Sequence, residues 1–164
     1  GFDFIDESKA VLYGKHRSLC VHSFVHRGTK QAPGLVLGLD KGGSCIGLAR
    51  KVEAEKRQAV IAYLRERELV TNVYLETWVN IKLADGRKVD ALTYVVDRAH
   101  QQYAGTFDHR EFVKRIQSAE GKSGKNIDYV TSTIASLKEL NIRDKGLEKL
   151  AREAMADNMG KTNN

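Results

Sequence analysis

The chain of 164 residues has no apolar run long enough to span a membrane, and its first ten residues carry acids where a basic, apolar leader would be expected. Those absences point to an intracellular, cytoplasmic protein with no membrane partner. Its two cysteines, Cys20 and Cys45, form no close pair, so they supply neither a metal-ligand spacing nor a disulfide framework. Only 7% of the residues are aromatic, and the 27 basic and 21 acidic residues are interspersed, which leaves neither a basic stripe nor a stacking platform for nucleic acid. The net charge of +6 is then an attraction for anions in general, a small anionic substrate included. The five histidines at positions 16, 22, 26, 100 and 109 show no metal-binding spacing, so no metal site is expected. Gly42, Gly43 and Gly47 are followed by neither Lys-Ser/Thr nor a long helix, which excludes a phosphate-binding loop. Ser44 and Ser123 lie in no nucleophile elbow.

What remains is a content of 41% hydrophobic and 29% charged residues, ordinary for one globular domain over residues 1–164. No internal repeat or linker divides it, and the polar tail 160–164 is expected to be disordered. Residues 36–39 and 45–48 are short apolar runs around Asp40-Lys41-Gly42-Gly43, which reads as a hairpin turn. Residues 10–13 and 18–22 are weaker strands around Gly14. Tyr74–Leu83 alternates, with Leu75, Val79, Ile81 and Leu83 on one face and Glu76, Asn80 and Lys82 on the other. Asp85-Gly86 turns that run into Lys88–Val96. Residues 110–118, 127–140 and 145–155 read as helices, with Asn126 and Asp144 as N-caps of the second and third. Strands around one long helix, followed by a helical last third, make the class α+β: a small mixed barrel or curved sheet with helices packed on it.

Glu68 is the acid that breaks pattern. It ends a helical stretch over residues 54–68, four residues after Leu64 and seven after Ile61, so it falls on the apolar side of that helix, unless the helix frays before it and the side chain swings to water. Glu66 falls on the opposite side, in water. Burial and the negative end of a helix both oppose ionisation of a carboxyl, the conditions under which an acid works as a general base near neutral pH. Ser123 and Asn126, in Ser123-Gly124-Lys125-Asn126 before a helix, could offer N–H groups to an anion or form a plain capping segment. Tyr103, in a polar loop, must pack on something to be held there.

Four segments in order carry a resemblance: HRGTKQAPGLVLGLDKGGSCIGLA at residues 26–49, AYLRERE at 62–68, ALTYVVDRAHQQYAG at 91–105 and GKSGKNIDY at 121–129. Together they resemble the ChaC-type γ-glutamylcyclotransferases. The resemblance implies a γ-glutamylcyclotransferase-like fold, no metal or organic cofactor, and glutathione as the substrate, released as 5-oxoproline and cysteinylglycine. It puts the catalytic acid of the family at Glu68 and substrate-binding tyrosines at Tyr74 and Tyr103. The family opens on a strand leading into Tyr-Gly-Ser-Leu, whose backbone holds the γ-glutamyl group. No such string stands here, and Gly1-Phe2-Asp3-Phe4 resembles the piece just after it, so that strand and loop are expected to be missing from these residues. Other γ-glutamyl compounds as substrates, and an inactive binding or regulatory module on the same fold, stay open at this point. Nothing in the sequence fixes the oligomeric state.

Overall fold

The computed structural model describes residues 1–159, so the tail at 160–164 lies outside the described residues. The order of elements is β1 (Asp6–Ser23), β2 (Gly34–Lys51), a 3-10 turn (Ala54–Lys56), α1 (Arg57–Glu68), β3 (Tyr74–Leu83), β4 (Lys88–Val96), α2 (His109–Ser118), β5 (Glu120–Gly121), β6 (Gly124–Lys125), α3 (Asn126–Glu139) and α4 (Lys145–Met159). The class is α+β, as expected. The chain forms two compact units: Gly1–Ser18 with Gly38–Tyr103, and Leu19–Leu37 with Ala104–Asn164.

The first unit is built on a sheet of order β2-β1-β3-β4. β3 and β4 pair antiparallel along their whole length, from Tyr74 opposite Val96 to Lys82 opposite Lys88, around the Asp85-Gly86 turn. β1 lies antiparallel on the other edge of β3, with Leu12 opposite Ile81. The expected hairpin at Asp40–Gly43 is corrected: β2 runs unbroken from Gly34 to Lys51. Gly42 and Gly43 take φ of 103° and 62°, values costly for other residues, and so absorb a local distortion without ending the strand. The His16 ring, through Nδ1 at 3.1 Å from the Gly42 carbonyl, and the close approach of its Cβ to Gly43 hold that distortion against β1. The segments around Gly14 are likewise one strand.

The second unit has the larger core. Val113 and Ile116 of α2, Ile127, Val130 and Ile134 of α3, and Leu147, Leu150, Ala151 and Ala154 of α4 close around Leu19 and Leu35 from the strands. Asp108 caps α2 by accepting from the Glu111 N–H at 2.9 Å, and Asp144 caps α4 by accepting from Leu147 at 3.0 Å. Asn126 is not the cap expected of it. It is the first residue of α3, wholly buried, and its side chain turns away from the helix. The short β5–β6 pair between α2 and α3 carries no pattern long enough to read from sequence. Among the described residues no helix is long and apolar enough to cross a membrane.

Candidate active site

The helix periodicity that singles out Glu68 holds in three dimensions. α1 continues to Glu68, where the Leu69 N–H closes the last turn on the Arg65 carbonyl. Ile61, Leu64 and Glu68 are half-buried, while Glu66 is exposed. The chain then turns through Asn72, whose positive φ of 56° redirects the backbone, and Val73, buried, leads directly into Tyr74 at the start of β3. The helix end and the first residues of β3 are thereby kept in one neighbourhood.

The start of β3 departs from the sequence alternation. Leu75, assigned to the inner face, is exposed, and Glu76, assigned to water, is half-buried. Glu76 is held there by Arg65, which donates from Nε and Nη2 at 2.7 Å each in a bidentate pair. The Tyr94 hydroxyl donates to the same carboxylate at 3.2 Å, from the position directly opposite on β4. The Arg65 hydrogen bonds outweigh partial burial and keep the Glu76 carboxyl below the ordinary glutamate range. The Tyr94 phenol is pushed the other way, first by burial, then by its hydrogen bond and proximity to Glu76, with the Glu68 charge adding to the effect. Tyr74, two residues before Glu76 on the strand, shares its face.

A second polar cluster of this unit explains Tyr103. Its hydroxyl donates at 3.0 Å to Asp40, a carboxylate only 2% exposed on β2. Arg98 donates from Nε to the other oxygen of Asp40 at 2.6 Å, and its guanidinium lies 5.7 Å from the Tyr103 ring centroid. Burial raises the Asp40 carboxyl, but the hydrogen bonds from Arg98, the Lys41 N–H and Tyr103 together bring it below the usual value. An ionised, almost fully covered aspartate thus fixes the ring.

In the second unit, the expected anion contacts are structural. The Asn126 amide accepts from the Leu35 N–H at 2.7 Å and donates to the Leu35 carbonyl at 2.8 Å, completing a strand-like pairing from a side chain. Its backbone N–H, the group expected to face an anion, donates to the Ala119 carbonyl at 2.9 Å. Ser123 accepts on its carbonyl from Arg27 at 2.6 Å, donates its N–H to the His26 carbonyl at 2.9 Å, and shares a hydrogen bond between its hydroxyl and His26 Nδ1 at 2.9 Å. These bonds lock the β5–β6 tip to the loop after β1. The same loop needs Gly28, where a Cβ would stand 2.0 Å from the Gly34 nitrogen.

Sequence reasoning missed Arg65, Glu76, Tyr94, Asp40 and Arg98. Arg65 carried a usable signal, since it precedes Glu68 by three residues and so shares its side of α1. Tyr94 carried another, because the bounds of the β3–β4 hairpin already set it opposite Glu76. Asp40 carried none, lying inside a typical turn sequence.

A family model described as ChaC-like protein matches residues 1–156. Over 159 residues the chain is 31% identical to a glutathione-specific γ-glutamylcyclotransferase of Escherichia coli (strain K12), covering 95% of this chain and 69% of that protein. It is 27% identical over 161 residues to γ-glutamylcyclotransferase 2-3 of Arabidopsis thaliana, covering 93% and 81%. Among solved structures, that of a yeast γ-glutamyl cyclotransferase specific to glutathione superposes with a TM-score of 0.80 at 20% identity, covering 93% of this chain and 89% of that one. At that identity the superposition shows a common fold.

Proposed function

The chain belongs to the family of ChaC-like proteins, and we propose that it is a cytoplasmic, glutathione-specific γ-glutamylcyclotransferase with Glu68 as its catalytic acid and base. The observation that carries the reading is the position of Glu68: the last residue of α1, half-buried on the helix's apolar side, with the chain turning directly from it into β3 at Tyr74. The relatives named for this activity give the substrate.

The chemistry asks for little beyond placement. The α-nitrogen of the γ-glutamyl residue attacks its own side-chain carbonyl, forming the C–N bond of a five-membered lactam. The amide bond to cysteine breaks, giving 5-oxoproline and cysteinylglycine. At neutral pH the α-nitrogen is an ammonium, so it must lose protons before and during attack, and the departing nitrogen must gain one. One carboxylate within reach of both nitrogens performs both transfers, taking a proton from the nucleophile and returning it to the leaving group. No electron changes hands and no water is consumed, so the reaction calls for no redox cofactor. The remaining task is to hold a flexible substrate curled. Fixing a near-attack geometry is worth up to about 7–11 kcal/mol in well-oriented cases. Tyr74 and the ring of Tyr103, the latter anchored by Asp40, are proposed as walls of that site.

Glu68→Gln keeps size and shape but removes the base. It should abolish 5-oxoproline release from glutathione while leaving thermal unfolding unchanged. Glu66→Gln, on the exposed side of the same helix, should turn over like the parent protein. Near-parental turnover in Glu68→Gln would falsify the general-base role.

A further inference from the structure

The Tyr94 hydroxyl has one proton to give, and it gives it to Glu76. Glu76 cannot turn aside to release it, because the Arg65 fork grips both carboxylate oxygens and sets that carboxylate against β4. The cross-strand pairing fixes the same relation from the backbone side, with Glu76 directly opposite Tyr94. The phenol oxygen therefore presents only lone pairs to whatever approaches it. Burial, the hydrogen bond to Glu76 and its charge outweigh the opposing Arg65 cation and keep the phenol protonated, so this arrangement persists at neutral pH. An acceptor-only oxygen in the field of a carboxylate is complementary to a cation carrying several N–H groups.

In the cyclotransferase reaction that cation is the α-ammonium of the γ-glutamyl group, which offers three donors where a single carboxylate oxygen satisfies one. We propose that Tyr94, oriented by the Arg65–Glu76 pair, accepts a hydrogen bond from the substrate's α-ammonium and holds it beside Glu68. This rests on the cyclotransferase reading given above. Tyr94 touches the substrate; Glu76 and Arg65 are positioning residues that act through it.

The test separates recognition of the ammonium from recognition of the rest of the molecule. Glutathione is used as substrate, and its des-amino analogue, glutaryl-cysteinylglycine, as a competitive inhibitor that lacks only the α-amine. In Tyr94→Phe the KM for glutathione should rise roughly tenfold, the scale of one hydrogen bond to a charged group, while the inhibition constant of the analogue stays at its parental value. Glu76→Gln should move the same ratio in the same direction, because the phenol is no longer held, and it keeps the test available should Tyr94→Phe fold poorly. An unchanged KM in both variants overturns the proposal. So does an equal rise in KM and in the analogue's inhibition constant, since that would make Tyr94 a packing ring. If the parental protein fails to form 5-oxoproline from glutathione, the cyclotransferase reading itself falls and the proposal falls with it, a result visible before any variant is made.

Discussion

Asp40 is the residue whose role the sequence concealed most completely. Asp-Lys-Gly-Gly is turn chemistry, and nothing in the local string signals that a strand passes through it carrying a buried carboxylate. Three donors converge on that carboxylate, and one of them is the hydroxyl of Tyr103. Tyr103→Phe should therefore lower stability as well as the specificity constant for glutathione, by about 1.5–3 kcal/mol for a hydrogen bond to a charged partner. Combining it with Asp40→Asn in urea unfolding should reveal coupling: the double variant should lose less than the two single losses added, by at least about 0.5 kcal/mol. Strict additivity would mean that the hydroxyl and the carboxylate stabilise the protein independently.

Among the elements, α3 depends on a side chain that belongs energetically to β2. Asn126→Ala would leave the Leu35 N–H and carbonyl buried without partners, at a cost of roughly 2–4 kcal/mol. The Leu35 amide should also lose its protection in hydrogen exchange, a local readout that general weakening of α3 would not give. Asp108→Ala, which removes the α2 cap, should cost only about 1 kcal/mol.

These elements also mark what was legible. The β3–β4 hairpin could be read because alternation and an Asp-Gly turn agree on both sides of it. The apolar side of α1, and with it Glu68, could be read because 3.6-residue periodicity survives even in a helix with no fully buried residue. Glu76 could not be read, because strand alternation assumes one face in water, and a neighbouring helix brought Arg65 to that face. Asn126 could not, because propensity knows a helix start but not that a residue 91 positions earlier, Leu35, will meet its amide. Side-chain periodicity is local information; the ion pairs and the amide brace join residues distant in sequence.

For the whole molecule, several carboxylates are held below their ordinary ionisation range, and the sign of their effect is the same. Asp40 and Glu76 are held down by the bonds described, and Glu148 first by its hydrogen bonds from Arg143, which outweigh its burial. In each case the unfolded chain binds protons more readily than the folded one as pH falls, so stability is fully present above the ordinary carboxylate value and is lost as pH drops through the lowered values. His22 contributes earlier: burial, then the Arg115 charge, lowers its pKa from 6.5, so its loss begins as pH falls below that value. The thermal midpoint should be flat above about pH 7, decline gently below 6.5, and fall steeply below about pH 4. Asp40→Asn should flatten the steep part. A midpoint that rose on acidification would contradict the assignment of these pairs.

Each compact unit is made of two stretches of chain separated by a stretch of the other. During synthesis both stretches, Gly1–Ser18 and Gly38–Tyr103, have emerged before α2 is made, so the first unit can close while translation continues. The second cannot. Leu19 and Leu35, emerging early, form the floor of a core whose cover, α2 to α4, is made last. For that interval two apolar strand segments stand uncovered. This is the window in which a chaperone would find this protein, and in which a stalled or shortened chain would be most prone to aggregate.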